Sequence, residues 1–416
     1  MLWVLTRPKI KSETVYFMSK KIFLIAGEPS GDVLGAGLIR ELKSQSRVPI
    51  EFIGVGGPLM EAEGLQSIVP MDELCVMGLW EVIWQLPRLL RLINGVVEEI
   101  EGAEPDAVVT IDLPDFNFEV ARRIKKRALS SAKMIHYVAP SVWAWRPGRA
   151  KKIAALYDKV LCLLPFEPPY FKAHEMEADF VGHPLVEEAK NFNGQDFREK
   201  NGITPQDKVL GLFLGSREGE RHKHANVLKE AAQIIREQDP DVKIVIPTLP
   251  DFEYLVLKAI EDWDFETIVV SLPSLKWNSF AACDVAVAVS GTVGLELAYI
   301  GVPHVIAYKT HPITAMAVKR MIKVKYAHLA NILLDAPVVP EYLQGKCNSL
   351  NVAKGLLSLL RKPEDRAAQK QAFAKLGQRL RPEGGVSPSV VAAKSVIETL
   401  NAGPKAKDHS LSSTST

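Results

Sequence analysis

The chain has 416 residues, of which 47% are hydrophobic and 24% are charged, so it is neither a disordered chain nor one small domain. Its formal net charge is +2 and its charges form no large block of one sign, which argues against an extended nucleic-acid-binding surface. No run of about 18 apolar residues occurs, so no segment is predicted to span a membrane. Two globular domains are the expected organisation.

Residues 1–17 hold only a short apolar stretch and are predicted to be a disordered N-terminal extension. From Met18 onward, short runs rich in Val, Ile and Leu recur, and most are followed by a segment with helical periodicity. The runs in the first half lie at residues 22–26, 50–55, 107–111, 134–138, 159–164 and 178–181. Because these runs are continuously apolar rather than alternating, they predict parallel strands that are buried on both faces.

Residues 190–201 are polar and are predicted to include a linker, after which the same rhythm resumes. The second set of predicted strands lies at residues 209–214, 243–246, 267–270, 285–289 and 302–307. The pattern predicts an α/β protein with two Rossmann-like, doubly wound domains, at 18–189 and 190–361, facing a cleft. Helices at 362–402, packing on the first domain or on a dimer partner, and a disordered tail at 403–416 complete the prediction.

The four cysteines stand far apart in the sequence and have no metal-ligand spacing. They are Cys75, Cys162, Cys283 and Cys347. This pattern is typical of buried thiols in a reducing cytoplasm, and it gives no reason to expect a metal site.

The first predicted strand is followed by a loop, Gly27 to Asp32, that begins a helix. Glycine lets the backbone approach a ligand, while Glu28, Ser30 and Asp32 bring polar groups to the helix start beside Gly31. The glycine spacing is not that of the dinucleotide-binding fingerprint. We interpret the loop as part of a substrate site, with a purely structural turn as the alternative.

Asp112 stands at the end of the third predicted strand, where a ligand site is expected. In glycosyl transfer the acceptor hydroxyl loses its proton as it attacks the anomeric carbon, and a positioned carboxylate can take that proton. The alternative for Asp112 is a helix N-cap. Asp115 fits that alternative better, because Pro114 precedes it and the helical pattern begins at Phe116. We therefore interpret Asp112 as a functional residue that could serve as a base.

Two loops of the second half place glycines and hydroxyl groups at predicted helix starts, where backbone amides bind phosphate. The candidate substrate-binding residues there are Gly215, Ser216, Arg217, Glu220, Ser290, Gly291, Thr292 and Glu296. Arg217 can pair with a pyrophosphate through two hydrogen bonds, and Glu296 lies far enough along its helix to reach ribose hydroxyls. A helix with an ordinary cap is the alternative.

Residues 75–93 are more apolar than a loop requires, and they include two arginines. If exposed, they would form an acyl or membrane patch with a basic rim; burial in the core is the alternative. The patch residues are Met77, Trp80, Val82, Ile83, Trp84, Leu86, Arg88 and Arg91.

A second group, in and after the fourth strand, is predicted to line the cleft with aromatic rings. It comprises His136, Tyr137, Trp143, Trp145 and Arg146.

Together these segments resemble the lipid-A-disaccharide synthase family, a group of inverting glycosyltransferases, from about residue 20 to 360. The resemblance is carried by residues 26–32 with 34–36, 111–116, 136–145, 164–167, 180–184, 215–217, 290–292 with Glu296, and 329–333. It implies the two-domain glycosyltransferase B fold. It also implies UDP-2,3-diacylglucosamine as donor, 2,3-diacylglucosamine 1-phosphate as acceptor, and a β(1→6)-linked disaccharide and UDP as products.

By this resemblance Asp112 is the base, Glu28 is a second catalytic residue, and the substrate-binding residues Arg217 and Asn331 are also important for activity. The family needs no metal or other cofactor, which leaves the helix starts and Arg217 to neutralise the leaving diphosphate. A homodimer at the inner face of the cytoplasmic membrane of a Gram-negative-type bacterium is the corresponding expectation. The residues alone leave open a UDP-sugar epimerase, a nicotinamide oxidoreductase, which the missing fingerprint disfavours, and a membrane-bound nucleotide sensor.

Overall fold

Two parallel β-sheets organise the chain. The computed structural model describes residues 19–74, 79–127, 131–145, 148–215, 218–289, 291–311, 315–316, 321 and 324–402; the side chains of 79–86 and 218–223 are outside the described part. The strands of the first sheet are β1 (Lys20–Ala26), β2 (Ile50–Val55), β3 (Gln66–Ser67), β4 (Ala107–Ile111), β5 (Lys133–Tyr137), β6 (Lys159–Cys162) and β7 (Glu177–Phe180). They are arranged in the order β3-β2-β1-β4-β5-β6-β7.

The second sheet has the order β10-β9-β8-β11-β12-β13, and each neighbouring pair is parallel. Its strands are β8 (Val209–Phe213), β9 (Lys243–Pro247), β10 (Ile268–Val270), β11 (Val285–Ala288), β12 (His304–Tyr308) and β13 (Glu341–Leu343). Every residue of β4 and of β8 is buried, as expected for parallel strands with both faces covered. The predicted α/β fold with two parallel sheets is confirmed.

Helices connect these strands. They are α1 (Pro29–Gln45), α2 (Pro58–Ala62), α3 (Leu79–Ala103), α4 (Pro114–Arg127), α5 (Gly148–Ala154), α6 (Pro168–Lys172), α7 (Leu185–Glu188), α8 (Gly194–Lys200), α9 (Glu218–Gln238), α10 (Glu253–Ala259), α11 (Lys276–Ala281), α12 (Thr292–Ile300), α13 (Leu329–Leu334), α14 (Ser349–Arg361), α15 (Pro363–Arg379) and α16 (Pro388–Asn401). Among the described helices, none has the length and apolar character that crossing a membrane requires.

The described residues divide into two compact units. The first unit comprises the described residues up to Val138, residues Leu156–Lys159, and the described residues from Ala392 onward. The second comprises Ala139–Ala155 and Val160–Val391. The two predicted termini, 1–17 and 403–416, lie outside the described residues.

Several sequence-based expectations need correction or completion. The predicted linker at 190–201 contains α8, which buries Phe197 and donates from Arg198 to Asp284 over 2.8 Å. Pro114 is the first residue of α4, so Asp115 lies inside the first turn instead of capping it. The short edge strands β3 and β13 were not predicted.

Three cysteines are buried free thiols, as expected, and the fourth lies outside the described residues. The buried ones are Cys162, Cys283 and Cys347; the other is Cys75.

Candidate active site

The turn after β4 carries unusual backbone strain. Asp112 and Leu113 have φ angles of 49° and 42°, in the left-handed region that side chains other than glycine rarely adopt. Val138, which follows the neighbouring strand β5, has a φ of 79°. Each such residue costs about 1–3 kcal/mol, and such residues cluster at functional sites. The strained residues stand at the carboxyl ends of adjacent strands, which is where parallel sheets bind ligands.

Asn117, in the first part of α4, holds this turn in place. Its side-chain amide donates to the carbonyl oxygens of Asp112 at 2.8 Å and of Ile111 at 3.4 Å. Its backbone N–H donates to the carbonyl oxygen of Leu113 at 3.0 Å, and the residue is fully buried. The backbone N–H of Asp112 donates to the carbonyl of Tyr137 at 2.9 Å. These bonds fix the backbone of the turn, and they thereby fix the position of the Asp112 Cα atom from which the side chain extends.

The Asp112 carboxyl group is half-buried. Its partial desolvation raises its pKa above the usual value for an aspartate, although a hydrogen bond from the backbone of Leu113 opposes the rise. A carboxylate with a raised pKa is a stronger base than an exposed aspartate. The candidate base thus lies at the end of β4 and is partly desolvated.

A buried polar network lies beside the turn and supports it. The Thr110 hydroxyl lies 2.8 Å from Nδ1 of His136 and 3.0 Å from the Tyr157 hydroxyl. The Tyr157 hydroxyl in turn donates to the carbonyl oxygen of Asn117 at 3.1 Å, and burial raises the pKa of Tyr157. The network ends on the residue that holds the Asp112 turn. Its role is to position that turn.

The predicted aromatic cleft wall is wrong in most of its members. His136, Tyr137 and Trp143 are buried in the interior. Trp143 donates from Nε1 to the buried carboxyl of Glu167 at 3.1 Å, and burial raises the pKa of that carboxyl to about 7. Trp145 is 40% exposed, whereas Arg146 lies outside the described residues. Of the described members of the group, only Trp145 is exposed enough to meet a ligand directly.

The loop after β1 packs against the Asp112 turn. A Cβ atom at Gly27 would lie 2.6 Å from Cδ2 of Leu113, so glycine is needed for this close approach. The contact places the loop that carries Glu28 and Ser30 against the turn that carries Asp112; Glu28 is half-buried and Ser30 is exposed. Gly31 is buried, and a Cβ atom added at this residue would lie 3.2 Å from the Cβ of Ala26.

Asp32, from the same loop, serves the structure of the first unit. It is only 3% exposed, and its two carboxylate oxygens accept hydrogen bonds from the backbone N–H groups of Gly57, Leu59 and Met60 at 2.9–3.0 Å. It thereby fixes the start of α2 against α1. This geometry favours a structural role over direct substrate contact.

A cavity of about 420 Å³ in the second unit collects several predicted substrate-binding residues. Gly215 follows β8, whereas Gly291, Thr292 and Glu296 belong to the start of α12, and all four line the cavity. Its walls also include residues not predicted as part of a site: Thr248, Leu249, Phe252, Lys276 and Phe280. Its volume is within the usual range of small-molecule pockets, and its lining combines polar and aromatic side chains.

Asn331, which was predicted to be important through the family resemblance, is buried and fully engaged. Its side-chain amide donates to the carbonyl of Val339 at 2.8 Å and to Oε1 of Glu341 at 2.9 Å, and its Oδ1 accepts from Val339 N–H at 2.9 Å. Glu341 also accepts from the backbone N–H groups of Ala327 and His328, just before α13. Asn331 thus ties α13 to the segment that leads into β13.

Several predicted site residues cannot be placed. Met77, Ser216, Arg217 and Ser290 lie outside the described residues. The side chains of six others, in α3 and α9, are outside the described part: Trp80, Val82, Ile83, Trp84, Leu86 and Glu220. Arg88 and Arg91 are described, and they line a cavity of about 470 Å³ together with apolar side chains such as Leu92 and Val96. Arg88 is paired with Glu73 at 3.1 Å.

Within the described part of the chain, no group of three or more His, Cys, Asp or Glu side chains is placed to bind a metal ion. Two residues that matter to the site were missed by sequence reasoning: Asn117 and Lys276. Asn117 could have been suspected as a polar residue in the apolar face of α4. Lys276 has no local sequence signal, because it matters through its ion pair with Glu296, 20 positions away.

Both the sequence and the fold have known relatives. A family model described as lipid-A-disaccharide synthetase matches residues 22–394. The chain is 43% identical to the lipid-A-disaccharide synthase of Rhodospirillum centenum over 380 residues, which cover 91% of this chain and 94% of that protein. Its structure is similar to that of UDP-GlcNAc 2-epimerase from Neisseria meningitidis bound to UDP-GlcNAc, with a TM-score of 0.59, 12% identity and coverage of 91% and 99%. It is also similar to the calicheamicin glycosyltransferase CalG4, with a TM-score of 0.56, 16% identity and coverage of 93% and 100%. The two structural likenesses establish the fold, which is of the glycosyltransferase B type.

Proposed function

The chain belongs to the lipid-A-disaccharide synthase family, and on that premise we propose which reaction this glycosyltransferase catalyses and how. It transfers 2,3-diacylglucosamine from UDP-2,3-diacylglucosamine to 2,3-diacylglucosamine 1-phosphate. The anomeric centre is inverted, and the products are the β(1→6)-linked lipid A disaccharide 1-phosphate and UDP. The observation that carries the mechanism is the half-buried carboxyl of Asp112 on a strained turn at the end of β4.

Asp112 acts as the general base. The acceptor hydroxyl transfers its proton to the carboxylate while its oxygen attacks the anomeric carbon of the donor, and the bond from that carbon to the diphosphate breaks. A single displacement of this kind inverts the anomeric centre. The desolvation that raises the pKa of Asp112 increases its proton affinity in the transition state. Glu28 and Ser30, which lie on the loop packed against Leu113, contact the acceptor in this proposal.

The cavity of the second unit receives the nucleotide diphosphate. The backbone at Gly215 and at the start of α12 provides N–H groups for phosphate oxygens, and Ser216, Arg217, Glu220 and Ser290 complete the binding site in this proposal. Positive charge from Arg217 stabilises the diphosphate as it leaves. Asp32 and Asn331 act indirectly, through the backbone segments that they hold.

The proposed reaction is tested by incubating the full chain with radiolabelled donor and acceptor together. We expect a labelled disaccharide 1-phosphate and one UDP for each disaccharide, with neither product formed when the acceptor is omitted. Conversion of the UDP-sugar without acceptor would indicate an epimerase and overturn the proposal. Tight UDP binding without any product in the complete assay would overturn it in favour of a nucleotide sensor.

We also propose that the enzyme works as a homodimer attached to the inner face of the cytoplasmic membrane. Arg88 and Arg91 flank the apolar segment of α3, and arginines beside such a segment attract anionic headgroups. We expect the protein to float with liposomes that contain anionic phospholipid, and the quadruple variant Trp80→Ser, Trp84→Ser, Arg88→Gln and Arg91→Gln to remain in solution. Light scattering of the detergent-solubilised protein measures the dimer. Equal flotation of the two proteins would contradict the assignment of the membrane surface to α3.

A further inference from the structure

The wall of the nucleotide cavity contains a lysine–glutamate ion pair that joins two helices. Nζ of Lys276, the first residue of α11, donates to Oε1 of Glu296, in α12, over 2.9 Å. Both residues line the cavity together with Thr292. The Glu296 side chain is 15% exposed and that of Lys276 is 31% exposed, so the pair is partly desolvated and geometrically constrained. The pair thus belongs to the part of the cavity that a ligand would contact.

Lys276 is held in position from other sides as well. Its Nζ lies 4.4 Å from the centre of the Trp277 ring and 5.9 Å from that of Phe280, at cation–π distances. Glu188 is close enough for its charge to matter. Desolvation raises the pKa of the Glu188 carboxyl, and the negative charge of Glu296 adds to the rise, whereas the ammonium of Lys276 opposes it. Lys276 therefore pairs directly with Glu296, and its charge also acts on Glu188.

The ion pair leaves one oxygen of Glu296 available. Lys276 engages Oε1, and none of the described residues donates a hydrogen bond to Oε2. A carboxylate oxygen that is fixed in orientation is a strong acceptor for hydroxyl donors, such as those of a ribose. Without the lysine, Glu296 would be free to rotate and would carry an uncompensated charge in a partly buried wall.

We propose that Lys276 is a positioning residue for ribose recognition: it orients Glu296 so that the free oxygen accepts a hydrogen bond from the 2′-hydroxyl of the nucleotide. The inference rests on the proposed function, because it assigns the nucleotide diphosphate to this cavity. It makes Lys276 a determinant of ribonucleotide specificity. Lys276 acts through Glu296 and not on the diphosphate, since its ammonium group already pairs with Glu296 and lies over the Trp277 ring.

The experiment compares the binding of UDP and of 2′-deoxy-UDP to the full chain by isothermal titration calorimetry. The wild-type protein is expected to prefer UDP. In Lys276→Met, UDP binding should weaken about tenfold, as expected for loss of a charge-assisted hydrogen bond, while binding of 2′-deoxy-UDP stays nearly the same. Lys276→Arg should restore most of the preference, and Glu296→Gln should abolish it. Combining Lys276→Met with Glu296→Gln should add little to either change.

Lys229→Met is the matched control, because Lys229 pairs with Asp262 at 2.7 Å on the same unit but outside the cavity lining. It should keep the full preference for UDP. Equal weakening of both nucleotides in Lys276→Met would overturn the inference, because it would show a structural role or a direct contact with phosphate. Circular dichroism identifies a variant that has lost its fold. If Lys276→Met is such a variant, the nucleotide preferences of Lys276→Arg and Glu296→Gln still test the inference. If the wild-type protein bound neither nucleotide, the proposed function itself would fail.

Discussion

The Asp112→Asn variant should fold normally but lose almost all transferase activity. We expect kcat to fall about 10³-fold, within the range for removal of a general base, while the affinity for UDP stays unchanged. Asparagine is nearly isosteric with aspartate, and it tolerates the left-handed φ of 49° at this position better than most residues. Single-turnover assays with both lipid substrates, together with UDP titrations, measure the two effects.

Asp115→Asn is the matched control, because Asp115 is exposed on the first turn of α4, three residues further along the chain. It should retain activity close to that of the wild type. A fully active Asp112→Asn variant would rule out Asp112 as the base, even if it also showed slightly weaker substrate binding.

The pH dependence follows from the direction of the pKa shift. The base must be ionised to act, so the rate of the wild type should fall as the pH drops through a pKa that lies above 3.8, the usual value for an aspartate. The residual rate of Asp112→Asn should lack this ionisation step. The stability of the fold depends on pH in the opposite direction. Protonated Asp112 contributes stability that is lost as the pH rises through the raised folded-state pKa, so the variant should be at least as stable as the wild type at neutral pH.

Asn117→Ala should cost both stability and activity. Removal of the amide leaves the buried carbonyl groups of Asp112 and Ile111 without their donor, which should lower the free energy of unfolding by about 2 kcal/mol. The strained turn would then relax and the carboxyl group of Asp112 would move, so we expect kcat to fall about 10- to 100-fold with little change in KM. Urea unfolding and steady-state kinetics give the two values.

Asn351→Ala serves as the control for this change. The Asn351 side chain also donates to a backbone carbonyl, that of Lys346 at 3.1 Å, but it does so in an exposed position of the second unit. Its loss should leave kcat unchanged and have only a small effect on stability. If Asn117→Ala were destabilised but fully active at a temperature where it is folded, the geometry of the turn would not limit catalysis.

Local sequence patterns were sufficient to predict most of the sheets. The predicted runs at 50–55 and 107–111 coincide with β2 and β4, and most of the others differ from the observed strands by only one or two residues at an end. Such strands are recognisable because both faces are covered, which requires uninterrupted apolar residues within a short segment. The edge strand β13 has only three half-buried residues and therefore lacks that signal.

The predicted site residues divide according to whether their partners are near or distant in sequence. Asp112 and the glycines at helix starts were identified from their place at the ends of strands, which is a local property of the chain. The role of Asp32 depends on three backbone N–H groups about 25–28 residues away, and that of Asn331 on Val339 and Glu341. The chemistry of a carboxylate or an amide is the same whether it binds a ligand or another part of the protein. Sequence alone could not separate these two uses.

The sequence by itself therefore determined the α/β architecture and the family, and it singled out Asp112 as the candidate base, because each of these follows from apolar periodicity or from residues that are contiguous in the chain. Tertiary structure alone decided three further properties: the left-handed turn that presents Asp112, the burial of His136 and Trp143, and the ion pair between Lys276 and Glu296. The physical reason is that desolvation, strain and charge pairing depend on which groups meet in space. Which groups come into contact is set by the packing of the whole domain and not by any single segment.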